Sequence, residues 1–484
     1  MNRSIRAVTV FSFVLVVILG VNLTWVQGFR TDSLAENPLN GRRFYELKSR
    51  ERGQITTGGQ VLARSVADHD GLYEREYPTD PAVYGAVTGY LSDQFGAAGL
   101  EASQNEILMG TDDSLFTTRV WDTVTGKKVR GANVDLTIEP SVQQVAYDQL
   151  TSRGYSGAVV ALRPSTGEVL AMASSPTFNP ASVTQPDSAA AAEAFTALQN
   201  DPSAPLLNRA TQQTQPPGST FKLITTAAAL NEGESADTML TAAPQITLPD
   251  TATTLENYDG TRCGSGSEAS LRLAFELSCN TAFVDLVGRH GDKPFRDVAA
   301  GFGIGEGSDA LGLPVQPSTI GPIPDDAALA QSAIGQRDVA LTPLQNAIIA
   351  ATIANKGKRM EPHLIRQVTG PDLTPLEVTQ PKEVTQAIPE GTASQLTDLM
   401  VGAERHSSGR TDIASKTGTA EHGEDSRDSN PHAWYVAFGP SQEADVAVAV
   451  LVENGGDRGQ EATGGSVAAP IGRAVIDAAV KQAR

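Results

Sequence analysis

Hydrophobic and polar positions divide this chain into stretches of different period. Ala7 to Val26 is an uncharged apolar run long enough to cross a bilayer as one helix. From Gly28 to about Tyr155 the pattern is broken. Short apolar pairs such as Val61-Leu62 stand between Gly-rich turns, which predicts small strands and loops rather than a large core. Within it, Val134-Asp135-Leu136-Thr137-Ile138 alternates as a strand does. Glu139-Pro140-Ser141 then opens a helix from Ser141 to about Arg153, with proline near its first turn.

Beyond Tyr155 the apolar runs lengthen. Gly157 to Leu162 and Glu168 to Ser174 predict an antiparallel hairpin, joined by the turn residues Arg163-Pro164-Ser165-Thr166-Gly167. Helices are predicted from Ala189 to Leu198 and from Ser219 to about Asn231, the second ending near Gly233. Asp250 to Ser267 reads as a Gly/Asp/Thr loop. Ser278-Cys279-Asn280 opens a further helix, with Ala282, Phe283, Leu286 and Val287 as its apolar face. Thr342 caps a long apolar helix that reaches about Ala354. Asp412 to Ala420, Trp434 to Phe438 and Val446 to Val452 predict strands, with Gln442 and Glu443 in the turn between the last two. Val467 to Ala483 predicts an amphipathic terminal helix. Strands at both ends with helices between them imply an α+β domain, its terminal strands meeting in one mostly antiparallel sheet flanked by helices.

Composition refines this picture. With 484 residues, 40% hydrophobic and 19% charged, the chain has room for two or three domains and a large core. A net charge of -19 without a basic run argues against nucleic acid as a partner. Arg3 and Arg6 precede the apolar run, which favours a cytoplasmic N-terminus with the rest of the chain outside the cell membrane, and Trp25 stands at the interfacial position. An uncleaved anchor is expected over a signal peptide, because the run exceeds an ordinary signal core and no Ala-x-Ala follows. Val26-Gln27-Gly28 is the cleavage site of the competing reading. The two cysteines, Cys263 and Cys279, either form a disulfide outside the membrane or are two buried thiols. His69, His290, His363, His406, His422 and His432 are scattered without metal-ligand spacing, so no metal or cofactor is expected. His422 and His432 fall in a polar loop and are expected to be solvated.

The candidate chemistry lies in three short motifs. In Pro217-Gly218-Ser219-Thr220-Phe221-Lys222, a serine and a lysine stand one helical turn apart on one face. A serine hydroxyl is a weak nucleophile until a base takes its proton, and an amine serves when burial lowers its pKa. Of the ten lysines, only Lys222 has a serine three positions before it. The ordinary alternative is a helix-capping serine and a surface lysine. Ser278-x-Asn280 follows, and then Lys416-Thr417-Gly418-Thr419 on a predicted strand. The other Ser-x-Asn, at Ser103 and Asn105, lies upstream of this region. Each motif is weak alone. Their order and placement form the set of penicillin-binding proteins and serine β-lactamases.

On these motifs the chain resembles the class B penicillin-binding proteins over nearly its whole length. The hairpin from Gly157 through Pro176, Asp135-Leu136-Thr137-Ile138, Gly335-Gln336 and Leu341-Thr342-Pro343-Leu344-Gln345 are similar to segments of that family, as is Arg52-Gly53-Gln54-Ile55. Thr56-Thr57-Gly58-Gly59 departs from the Asp-Arg-Asn-Gly that often follows there. The resemblance implies a cytoplasmic tail at 1–6, a transmembrane anchor at 7–27, a pedestal or dimerisation-like module at 28–154 and a transpeptidase domain at 155–484. It implies that Ser219 attacks the D-Ala-D-Ala bond of a peptidoglycan stem peptide, with Lys222 as base and Ser278 as proton relay. Asn280 would hold a substrate amide, Lys416 would favour the terminal carboxylate, and the Thr417 and Thr419 hydroxyls would donate to it. The backbone N–H groups of Ser219 and Thr419 would form the oxyanion hole beside Gly418. β-Lactams would trap Ser219. The region before the hairpin is too short for a glycosyltransferase domain, so a multi-spanning polymerase partner is implied. A D,D-carboxypeptidase or β-lactamase of the same fold, or a non-catalytic β-lactam sensor or divisome scaffold, are the competing readings. A disulfide between Cys263 and Cys279 would pin the 250–267 loop beside the site.

Overall fold

The computed structural model describes residues 2–29, 48–115, 129–307, 310–421 and 429–483. Helix α1 (Asn2–Phe29) contains Ile5–Val26, with a mean hydropathy of 2.4, long and apolar enough to cross a membrane. Phe11, Phe13 and Leu19 are among its apolar side chains that stand exposed among the described residues, as suits a helix whose solvent is lipid. Strands β1 (Ile55–Thr57), β2 (Gln60–Ala67), β3 (Tyr73–Glu76) and β4 (Asn133–Leu136) precede helix α2 (Pro140–Thr151). The hairpin β5 (Gly157–Leu162) and β6 (Val169–Ser175) comes next, then helices α3 (Lys222–Asn231), α4 (Asn280–His290) and α5 (Pro343–Ala354). Strands β7 (Ile365–Thr369) and β8 (Pro375–Val378) lead to helix α6 (Glu390–Ser408). Strands β9 (Ala414–Ala420), β10 (His432–Gly439) and β11 (Val446–Val452) and helix α7 (Ala469–Ala483) complete the chain.

The central sheet has the order β9-β10-β11-β5-β6 and is antiparallel throughout. The early hairpin therefore meets the late strands, as the sequence predicts. Val160, Leu162 and Ala449 face a cluster that holds Phe221, Leu223 and Ile349. Val159, Ala161 and Val448 face the other way, onto Val142 and Ala146 of α2 and Val475 and Ile476 of α7. Covering both faces explains why these strands read as continuous apolar runs and not as alternation.

The stretch before Tyr155 departs from expectation. Its strands are not small pieces without a core. They belong to a six-stranded sheet of order β8-β7-β4-β1-β2-β3, which β7 and β8, more than 200 residues further on, complete. Val134 of β4 lies opposite Val368 of β7, and β1 runs parallel to β4. Ile55, Leu62 and Val134 are buried in the same cluster as Val160 and Phe221, so the six-stranded sheet and the central sheet share one core.

The Arg52-Gly53 pair has a physical role here. Arg52 Nε lies 2.8 Å from Glu101 Oε2, and Arg75 Nε lies 2.6 Å from Glu101 Oε1, with all three side chains buried. A Cβ on Gly53 would stand 1.8 Å from the Ala132 carbonyl oxygen, so only glycine lets the two chain segments pass.

Candidate active site

Ser219 sits in a tight turn, not yet in a helix. Residues Gly218–Phe221 form a 3-10 turn that leads into α3 at Lys222, so the helix begins three residues later than predicted. Gly218 starts the turn at φ 53°. The turn lies against the edge strand β9. A Cβ on Gly218 would be 2.7 Å from the Thr419 carbonyl oxygen, and one on Gly418 would be 2.6 Å from that of Pro217. Trp434 Nε1 donates to the Pro216 carbonyl at 2.8 Å from the next strand.

Gly335, quoted above only as part of a resemblance, supports this turn from the other side. The Gly218 N–H donates to its carbonyl at 3.0 Å. At φ 73°, a Cβ on Gly335 would meet the Gly218 oxygen at 2.2 Å. Gly335→Ala is therefore expected to displace Ser219 and slow acylation by roughly 100-fold, the effect of misplacing a reacting group by about 1 Å. Time-resolved labelling with a fluorescent penicillin measures it, and labelling at the wild-type rate would contradict the role.

Two buried amines converge on Ser278. Lys222 is 0% and Lys416 2% exposed. Lys222 Nζ donates to the Ser278 carbonyl at 2.6 Å and to Asn280 Oδ1 at 2.7 Å, with Ser278 Oγ at 3.4 Å. Lys416 Nζ donates to Ser278 Oγ at 2.8 Å and to the Thr417 carbonyl at 3.0 Å. Phe283 and Phe275 line the amines, 5.1 and 5.8 Å from Lys222 Nζ and Lys416 Nζ to the ring centres. Burial first, and then the charge of Lys416, push the Lys222 pKa well below that of an ordinary lysine. Burial pushes Lys416 down to about 7. A neutral amine has two hydrogens and one lone pair. The two short contacts of Lys222 use both hydrogens and leave the lone pair for a proton.

As the sequence predicts, Ser278-Cys279-Asn280 opens α4: the helix starts at Asn280 with Cys279 as its cap, and Ser278 stands before it at φ 60°. This left-handed conformation costs a non-glycine residue about 1–2 kcal/mol. It turns the Ser278 carbonyl to Lys222 and the hydroxyl to Lys416 at once. Asn280 is occupied at both ends, its Oδ1 by Lys222 and its Nδ2 by the Glu256 carbonyl at 3.0 Å. Its contacts thus position the amine as much as they leave it for a substrate amide.

Cys263 and Cys279 are joined in a disulfide. Together with the bond from the Thr281 N–H to Asn257 Oδ1 at 3.0 Å, it fastens the preceding loop to the first turn of α4. Thr417 and Thr419 are half-buried on one side of β9, and Gly418 is buried between them. Thr419 Oγ1 accepts from the Gly464 N–H at 3.4 Å. Gly464 was not singled out from the sequence, where a Gly-Gly pair was its only signal. A Cβ there would be 2.2 Å from the Trp434 carbonyl and 2.6 Å from that of Gly418.

Two further groups escape a sequence reading. Glu404, fully buried behind β9, accepts from Ser415 at 2.5 Å, Arg473 at 2.7 Å, Ser408 at 2.8 Å and Tyr435 at 3.0 Å, and so ties the lysine-bearing strand to its neighbours. His432 is not in a solvated loop. It is buried at the start of β10 and its Nδ1 accepts from the Asn454 N–H at 3.2 Å. His422 lies outside the described residues.

Residues 157–477 match the penicillin binding protein transpeptidase domain, and residues 52–134 match the penicillin binding protein A dimerisation domain. The chain is 50% identical over 491 residues to the peptidoglycan D,D-transpeptidase PbpA of Mycolicibacterium smegmatis, with 100% of each chain covered. Its fold is similar to penicillin-binding protein A from M. tuberculosis solved as a ceftriaxone acyl-enzyme complex. There the TM-score is 0.87 at 50% identity, covering 90% of this chain and 100% of that one. The penicillin G acyl-enzyme complex of the same protein gives 0.86 at 51% identity, covering 89% and 100%. With its transpeptidase domain matched over most of its length, and half its residues shared with a relative from end to end, the chain belongs to the penicillin-binding protein transpeptidase family.

Proposed function

We propose that this protein is a membrane-anchored peptidoglycan D,D-transpeptidase that works through an acyl-enzyme on Ser219. The observation that carries the reading is the convergence of two buried amines on Ser278, beside the Ser219 turn. Lys222 takes the Ser219 proton, and Oγ attacks the carbonyl carbon between the last two D-alanines. The oxyanion sits between the N–H groups of Ser219 and Thr419. As the C–N bond breaks, Ser278 relays the proton from Lys222 to the leaving D-alanine nitrogen. Lys416 favours the terminal carboxylate, with the Thr417 and Thr419 hydroxyls as donors, and Asn280 holds Lys222 in place. An amine of a second stem peptide then attacks the ester carbon and releases Ser219, which takes its proton back through the same groups.

In this reading α1 crosses the membrane once, residues 1–6 lie in the cytoplasm and the domain from 155 onward lies outside. Arg3 and Arg6 before the span support that orientation. Residues 28–154 act as a pedestal, and a multi-spanning glycosyltransferase supplies the glycan strands. A hydrolytic enzyme shares the acylation half of this chemistry and differs only in the acceptor.

A fluorescent penicillin tests the acylation. Labelling is expected in the wild type and absent in Ser219→Ala, and equal labelling of the two would remove the reading. Nascent peptidoglycan with a labelled D-amino acid acceptor separates the outcomes. Dimeric muropeptides are expected, whereas free D-alanine without them would make the enzyme a carboxypeptidase.

A further inference from the structure

A cavity of about 330 Å³ lies at the N-terminal end of α5, beneath the paired strands Lys358–Met360 and Glu383–Gln386. It shares no lining residue with the Ser219 site, and its size is that of a small-ligand pocket. Leu344, Ile348 and Val384 supply apolar wall.

The unusual group in it is Arg359. Its side chain is 10% exposed, and the residue as a whole 8%. Nη1 lies 2.8 Å from Glu306 Oε2, but Glu306 is itself 56% exposed, so the pairing is weakened by water. The buried Nε has no hydrogen-bond partner among the described residues. A guanidinium presents N–H groups in a fixed fork that matches a carboxylate, and a buried donor left unmet is costly. Room for the fork is made by Gly303, where a Cβ would stand 1.8 Å from Nη1.

We propose that this cavity is a second ligand site, separate from the Ser219 cleft, that binds the free carboxylate of a short peptide, with Arg359 as its anchor. A peptide fits better than an inorganic anion for two reasons. Glu306 and Glu361 also line the cavity and repel a dianion more strongly than a monoanion. The apolar wall suits small side chains, and Gln316 at the rim offers an amide to the peptide backbone. The proposal does not depend on the catalytic reading above.

Isothermal titration of the full chain with alanyl-alanine, its C-terminal amide and inorganic phosphate tests it. The dipeptide is expected to bind in the millimolar range, with the amide and phosphate each weaker by roughly tenfold or more. Penicillin on Ser219 should leave this binding unchanged. Arg359→Gln removes the charge, and Val384→Trp fills the cavity from its exposed strand while keeping the arginine in the chain. Each is expected to weaken dipeptide binding by roughly tenfold or more. Penicillin labelling reports whether each variant is folded, and Val384→Trp decides should Arg359→Gln lose it. Dipeptide binding at wild-type strength in the folded variants, phosphate binding as tight as the dipeptide, or no binding to the wild type would each overturn the proposal.

Discussion

Replacing Lys222 with methionine is expected to slow acylation by a β-lactam by roughly 10²–10⁴, the range a positioned general base contributes. Methionine is of similar length and apolar, so it fills the space of the amine, and the cost of leaving the Ser278 carbonyl and Asn280 Oδ1 without that donor is about 1–3 kcal/mol each. The folded protein should survive the change. The pH dependence separates loss of a base from loss of packing. In the wild type the rate rises with pH as Lys222 loses its proton, at a pH well below that of an ordinary lysine. It falls again as Lys416, pushed down to about 7, loses the charge that attracts the ligand carboxylate. The two amines share Ser278, so both limbs belong to the pair. Lys222→Met should abolish the rising limb. Stopped-flow acylation with a chromogenic β-lactam across pH measures both effects. A variant within tenfold of wild type, or with its rising limb intact, would assign the base to another group.

Removing the carboxylate of Glu101 carries the largest expected effect on stability. The side chain is fully buried between Arg52 and Arg75. Burial alone raises its pKa, but the Arg75 and Arg52 guanidiniums outweigh that and hold the carboxyl below its usual range. Glu101→Ala leaves two buried cations facing each other across a cavity. Breaking a buried pair from one side costs about 3–5 kcal/mol. Because β1, β2 and β4 bury residues in the same cluster as Val160 and Phe221, the loss should shift one shared unfolding transition. Urea unfolding followed by tryptophan fluorescence checks this. A loss below about 1 kcal/mol would mean that the arginines find water in the variant.

What the sequence reveals about this molecule depends on how local the determining pattern is. The hairpin and the late strands are apolar on both faces, and their partners lie close in sequence or repeat the same pattern, so the central sheet could be anticipated. The three candidate motifs are compact and ordered, and the structure places Lys222, Lys416 and Ser278 within hydrogen-bonding reach. What could not be read is set by tertiary contact. Strand β7 is a short Ile365-Arg366-Gln367-Val368-Thr369 whose place beside β4 no local signal announces. The backbone of Ser278 is bent by what it must satisfy on two lysines, not by its own preference. Gly335 and Gly464 are ordinary turn residues until the strand and turn they admit are seen. Glu404 becomes notable only once four donors surround it.

The shared six-stranded sheet also imposes an order of events. The Asn133 side chain donates to the Gly370 carbonyl across 237 residues of sequence. A chain made from its N-terminus thus forms β4 long before the strand that covers its edge exists. Until β7 arrives, β4 is an open edge with unpaired N–H and C=O groups, the kind that recruits other chains. If α1 is already held in a bilayer, many such edges are confined to one surface, where encounters are frequent. Pairing across so long a loop is also intrinsically slow. The growing chain would therefore be most vulnerable to misassembly in the interval between the making of β4 and the making of β7.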